Sequence, residues 1–187
     1  MSGLLKLSVG IDRLLGFFAR IGAFCGLVLV LVVIYDVVAR YAGVPKPFGL
    51  NSTQIQESEY WLHSLLFTLV IGYAYIAQSH VRIDLLRERM STRKKYFIEM
   101  VGCLIFLIPY ALIAGFYSYR YAYASFLEGE VSKSVIGLSN IWILKSTMPL
   151  MFLLLGLAGI SQLIKSVAGL AGKLPDDMAA RALGGDH

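Results

Sequence analysis

Four apolar stretches of nearly equal length, each closed by charge at both ends, constrain this chain more than any other feature. They lie between Arg20 and Arg40, Glu59 and Arg82, Glu99 and Arg120, and Lys145 and Lys165. The bracketing residues stand 20, 23, 21 and 20 positions apart. At 1.5 Å per helical residue each gap is about 30 Å or slightly more, the thickness of a hydrocarbon core. One membrane thickness repeated four times predicts four transmembrane helices. Composition agrees, with 57% of residues hydrophobic and 16% charged, against about 25% charged in soluble domains. That balance excludes a soluble domain and a disordered chain.

The expected fold is therefore all-α and integral to the membrane, with short interfacial loops. One domain covers residues 1–173, with approximate spans 14–39, 54–79, 93–125 and 139–166. Residues 174–187, rich in Gly, Ala and Asp, are expected to be a mobile tail. The first segment is expected to be a retained helix: Arg13 and Arg20 interrupt its start, and no small-x-small cleavage site follows it.

Lys and Arg counts set the orientation. Lys6, Arg13, Arg20, Arg82, Arg87, Arg89, Arg93, Lys94, Lys95, Lys165, Lys173 and Arg181 fall on one side. Arg40, Lys46, Arg120, Lys133 and Lys145 fall on the other. Twelve against five predicts cytoplasmic N- and C-termini. The same loop placement explains the net charge of +5 without nucleic acid as a partner. Cys25 and Cys103 lie in apolar runs with no CxxC partner and read as spectator thiols.

Local signals place the helix ends. Thr53 and Gln56 have capping-box spacing for helix two. Ser91 or Thr92 can cap helix three, and Ser139 or Asn140 helix four. Trp61 and Trp142 fall at the outer ends, as in an aromatic belt. Pro109 and Pro149 should bend helices three and four. Tyr117, Tyr119, Tyr121 and Tyr123 alternate like a strand, but an open strand is not viable in lipid, so a helix emerging at the interface is expected.

Ionisable residues inside a span mark ion or proton paths, and the middles of these four spans carry none. Independent proton-coupled transport is hard to build on such a chain. Asp36 is the partial exception, four positions inside Arg40, or about 6 Å deep. A short carboxylate cannot snorkel, so it needs partners. Asp36, Arg40, Glu59 and Lys145 form a candidate charged cluster at the outer interface. Structural ion pairing and contact with a substrate or partner are its two readings. His63 and His80 share a helix, 17 positions apart, about 25 Å, and cannot clamp one haem. Glu59 with His63 and His80 with Asp84 are spaced i, i+4, but no third zinc ligand is apparent. With no GxSxG, P-loop or GxGxxG motif, neither an enzyme nor a cofactor or metal site is expected.

A family resemblance then emerges. Asn51-Ser52-Thr53-Gln54-Ile55-Gln56-Glu57, Trp61 and His80-Val81-Arg82-Ile83-Asp84 resemble the small permease subunit of tripartite ATP-independent periplasmic (TRAP) transporters. Asp36-Val37-Val38-Ala39-Arg40 resembles that family's Asp-x-x-x-Arg close to helix one. Glu130-Val131-Ser132-Lys133-Ser134, Gly137-Leu138, Trp142, Lys145 and Pro149 resemble its mannitol/chloroaromatic or keto-acid subgroup. The similarity covers roughly residues 12–166. Glu57, Trp61, His80, Asp84 and Pro149 are its motif positions. It implies a bacterial inner-membrane accessory subunit that braces a large permease subunit. A periplasmic binding protein delivers the solute, often an organic acid, and sodium binds in the large subunit. The alternative is an autonomous oligomeric four-helix channel or exporter, which would need a polar stripe along a helix; none is visible.

Overall fold

The computed structural model describes residues 2–46, 49–79, 89–134 and 136–183, and among them every regular element is helical. Helix α1 (Ser2–Ala42) is one unbroken rod of 41 residues. It begins well before the expected residue 14, because Gly3 to Ile11 hold no breaker stronger than two separated glycines. Gly43, with φ +65°, stops it.

Helix α2 (Ser52–Ile76) is capped by Asn51, not Thr53. The Asn51 side chain accepts from the Gln54 N–H at 2.9 Å, and Gln54 Oε1 accepts from the Asn51 N–H at 3.1 Å. Asn caps at least as well as Thr, and a Gln stands three positions on. The box therefore forms two residues earlier than expected.

Helix α3 (Thr92–Leu127) carries the tyrosines as a helix throughout, and Tyr119 stacks on Tyr123. Gly102–Leu107 widen into a π turn just before Pro109. Proline lacks an N–H and its ring crowds the carbonyl four residues back. The π turn absorbs that mismatch. Helix α4 (Ile141–Leu170) contains Pro149. A turn before it, Ser146 and Thr147 hydroxyls donate to the Trp142 and Leu144 carbonyls at 2.7 Å each. Its N-cap is Asn140, in the left-handed region at φ 62°, a conformation Asn tolerates better than most residues.

Residues 176–183, expected within a mobile tail, form a fifth helix, α5 (Asp176–Leu183). The Ala182 carbonyl ties it down, accepting from Gln162 Nε2 at 2.7 Å and from Gln78 Nε2 at 3.2 Å.

Helix α4 is the hub, touching α1, α2 and α3, while α1 packs chiefly along α2. Ile11, Leu15, Leu69, Ile76, Leu154 and Ala158 form the core where α1, α2 and α4 meet. Close approach depends on glycine there. A Cβ at Gly72 would stand 2.8 Å from the Leu154 carbonyl oxygen, and one at Gly22 2.8 Å from Val70 Cγ2. In lipid such contacts, rather than exclusion of water, draw helices together.

Helices α1, α3 and α4 are each long and apolar enough to cross a membrane. Helix α2, which opens on Gln54, Gln56, Glu57, Ser58 and Glu59, is not one of these three among the described residues. Phe24, Leu27 and Leu31 on α1, and Phe106, Leu112 and Ile113 on α3, turn outward. The bundle has a loop end, where α1 and α3 finish and α2 and α4 begin. At its termini end lie the start of α1 and helix α5.

Candidate functional site

Polar chemistry gathers at the two ends of the bundle. At the loop end the Arg40 guanidinium pairs with Asp36 one turn earlier, as their i, i+4 spacing in Asp-before-Arg order favours. Asp36 is 5% exposed. The Gln56 amide, turned with its oxygen toward Arg40, also accepts from that guanidinium. Glu59 lies near enough for Asp36 and Arg40 to act on it electrostatically. Lys145 goes elsewhere, donating to Glu130 and lying 4.0 Å from the centre of the Tyr121 ring. Of the four residues Asp36, Arg40, Glu59 and Lys145, the structure thus gathers three and gives the fourth its own partner. The physical reason is local: Glu130 directly follows the turn that ends α3, and its carbonyl accepts from the Ile141 N–H at the start of α4. This folds the loop back over Lys145. The Lys145 ammonium holds the Glu130 carboxyl below its ordinary range.

Glu57 organises the rest of that loop. Its carboxylate accepts from the Ser132 hydroxyl and from the Leu138 N–H at 2.5 Å. Asn51 Nδ2 donates to the Ile136 carbonyl at 2.8 Å. Gly137 fits against this carboxylate because a Cβ would stand 2.6 Å from the Ser132 Cβ. The start of α2 thereby clamps the α3–α4 connection, joining Glu57 to Ser132, Gly137 and Leu138.

Trp61 is half-buried, and Trp142 meets Phe126 edge-on at 5.1 Å. His63 is exposed beside Phe67, on an open groove of about 300 Å³ between α2 and α4. His80 and Asp84 lie outside the described residues. Among the described residues no three His, Cys, Asp or Glu side chains gather as a metal site would need.

The termini end holds a network absent from the sequence reading. Lys165, 5% exposed, donates to Asp12 at 2.6 Å. Ser161 donates to the other Asp12 oxygen at 2.6 Å, and its oxygen lies 2.8 Å from the Ser8 hydroxyl. A carboxylate only accepts, so the Ser161 proton goes to Asp12 and the Ser8 proton to Ser161. Spacing was the available signal. Ser8 with Asp12, and Ser161 with Lys165, are each i, i+4 pairs near the end of a long apolar helix.

The sequence model described as "Tripartite ATP-independent periplasmic transporters, DctQ component" matches residues 29–169. The chain belongs to this family. A DctQ component is the small permease subunit of a TRAP transporter, a transport component rather than an enzyme family. Membership implies a multi-pass membrane protein with a large permease and a binding protein as partners. No match is found among curated proteins or among solved structures. The matched segment contains the Asp36–Arg40 pair, Glu57 with its loop, and Lys165.

Proposed function

We propose that this DctQ component crosses the bacterial inner membrane four times, with both termini cytoplasmic. In this reading it braces the scaffold of a sodium-coupled large permease subunit that takes up an organic-acid-type solute from a periplasmic binding protein. The motif residues Glu130, Ser132, Gly137 and Leu138 favour the mannitol/chloroaromatic or keto-acid subgroup. Cofactors are not part of the proposal for this chain, and sodium belongs to the large subunit.

The observation that carries the reading is the spacing of the ion pairs. Asp12 and Asp36 sit 24 positions apart on α1, about 36 Å along the helix. Each pairs with a cation at its own end of the bundle. A hydrocarbon core of about 30 Å fits between them at an ordinary tilt. Between those levels α1 carries Arg13 and Arg20 near one end only, and the middles of the helices offer no charge from which an ion path could be built. It offers instead broad apolar faces on α1 and α3. An elevator-type permease needs a stationary element against which its mobile part slides, and an apolar bundle anchored at both interfaces suits that role. The loop clamped by Glu57 would stand on the periplasmic side, where a binding protein docks.

The test is uptake in proteoliposomes under an inward sodium gradient, with binding protein outside. Large subunit plus this chain should transport, and either alone should not. Equal transport by the large subunit alone, or flux through this chain alone, would overturn the proposal.

A further inference from the structure

At the termini end an open groove of about 340 Å³ lies between the first turns of α1 and the start of α5. Leu5, Val9, Pro175 and Met178 give it apolar walls, and Lys6 and Arg13 give it charge. Gly10 leaves its floor open, with nothing within 4 Å of where a Cβ would stand. Lys6 and Arg13 are seven positions apart, two turns along one helix face. Neither makes an ion pair among the described residues, and the nearby Asp12 is committed to Lys165 and Ser161.

The depth of the groove identifies its occupant. Arg13 adjoins Asp12, whose partner Lys165 closes the fourth apolar stretch. Arg13 also directly precedes the span expected over residues 14–39, and Arg20 turns back toward that end, donating to the Gly16 carbonyl at 3.3 Å, so Arg13 stands at the edge of the hydrocarbon. Lys6 lies about 10 Å farther out along the helix, slightly beyond a headgroup layer about 5–8 Å thick. On the opposite side of Arg13, toward the bilayer, Leu14 and Phe17 are exposed. We infer that this groove seats an anionic phospholipid, its phosphate between Lys6 and Arg13 and its acyl chains along Leu14 and Phe17. Basic pockets between helices at a membrane surface recognise such headgroups. A free phosphate shares the headgroup chemistry but leaves Leu14 and Phe17 uncovered. The inference rests on the termini end lying at a membrane surface, and it does not depend on the transport role.

Native mass spectrometry of the full chain in mild detergent, titrated with phosphatidylglycerol or phosphatidylcholine, tests it. The wild-type chain should favour phosphatidylglycerol by about thirtyfold, since each basic group near a surface is worth about fivefold. Lys6→Gln/Arg13→Gln should bring that preference near unity. Lys94→Gln/Lys95→Gln, which removes the same charge at the start of α3, should leave it within about twofold. Gly10→Leu should also weaken binding, by filling the groove from a helical site that leucine suits better than glycine. It keeps the test open should the double variant fold poorly. Absence of a preference in the wild type, equal losses in the two charge pairs, or an unaffected Gly10→Leu would overturn the inference. So would full displacement by millimolar inorganic phosphate, which would mark a simple anion site.

Discussion

Replacing Asp12 with leucine should destabilise the bundle far more than replacing Asp12 and Lys165 together. In Asp12→Leu the ammonium of Lys165, 5% exposed, loses its anion, and Ser161 loses its acceptor. Removing one member of a buried pair costs about 3–5 kcal/mol. The Asp12 side chain keeps 28% exposure, so the cost belongs at the lower end, about 3 kcal/mol. For a chain of this size, about 2–4 °C of Tm accompanies each kcal/mol, giving a fall of about 6–12 °C. In Asp12→Leu/Lys165→Met both charges leave and similar volume remains. Swaps of that kind are often neutral, so the melting point should return to within about 3 °C of wild type. The assay is thermal unfolding in mild detergent, followed by tryptophan fluorescence and circular dichroism. Two variants with equal Tm values, whether both high or both low, would refute the reasoning. Equal high values would mean that the pair is solvated, and equal low values that Leu and Met cannot pack at this crossing.

The other predictions concern the loop end and the core. Glu57→Ala should speed amide exchange across residues 130–138, because it orphans the Ser132 hydroxyl and the Leu138 N–H; protection unchanged from wild type would count against the clamp. Glu57→Ala should also lower stability more than Asp36→Ala, since Arg40 keeps Gln56 and is 43% exposed in its pair, whereas hydrogen bonds to a charged group are worth about 1.5–3 kcal/mol each; denaturation in detergent ranks the two. Lys145 holds the Glu130 carboxyl below its usual range, so the contribution of this pair is complete above the unfolded pKa, about 4.3, and is lost as pH falls through the lower folded value. Melting measured from pH 7 down to about pH 3 should therefore lose less in Glu130→Gln than in wild type. Gly72→Ala should cost about 1–3 kcal/mol, because its Cβ would meet the Leu154 backbone at 2.8 Å; an unchanged melting temperature would show that α2 and α4 can separate freely.

Much of the helical layout was legible because a membrane leaves few alternatives. Charge brackets, apolar length and proline positions act locally, and each is written in one segment. The Asp36–Arg40 pair was legible for the same reason, as both members lie on one helix. What escaped depended on meetings between helices. Asp12 with Lys165 is a contact between residues 153 positions apart, and either half looks like an ordinary charge at a helix end. Lys145 was grouped with Asp36 by depth alone, while its choice of Glu130 depends on how the α3–α4 loop folds back. The closest approaches of a glycine to a neighbouring helix backbone fall at Gly22 and Gly72, whereas Gly102, also inside a long apolar helix, faces open space. Composition cannot tell a glycine facing lipid from one facing a neighbouring helix. The last helix was hidden because its eight residues need Gln78 and Gln162 to hold their carbonyl end.

The central claim, that this chain is a bracing subunit rather than a transporter in itself, is tested most directly by its company. Affinity purification after expression from the native operon, in mild detergent, with the co-purifying proteins identified and quantified, is that measurement. One large hydrophobic permease should co-purify in stoichiometric amount. A homo-oligomer of this chain with no such partner would contradict the claim.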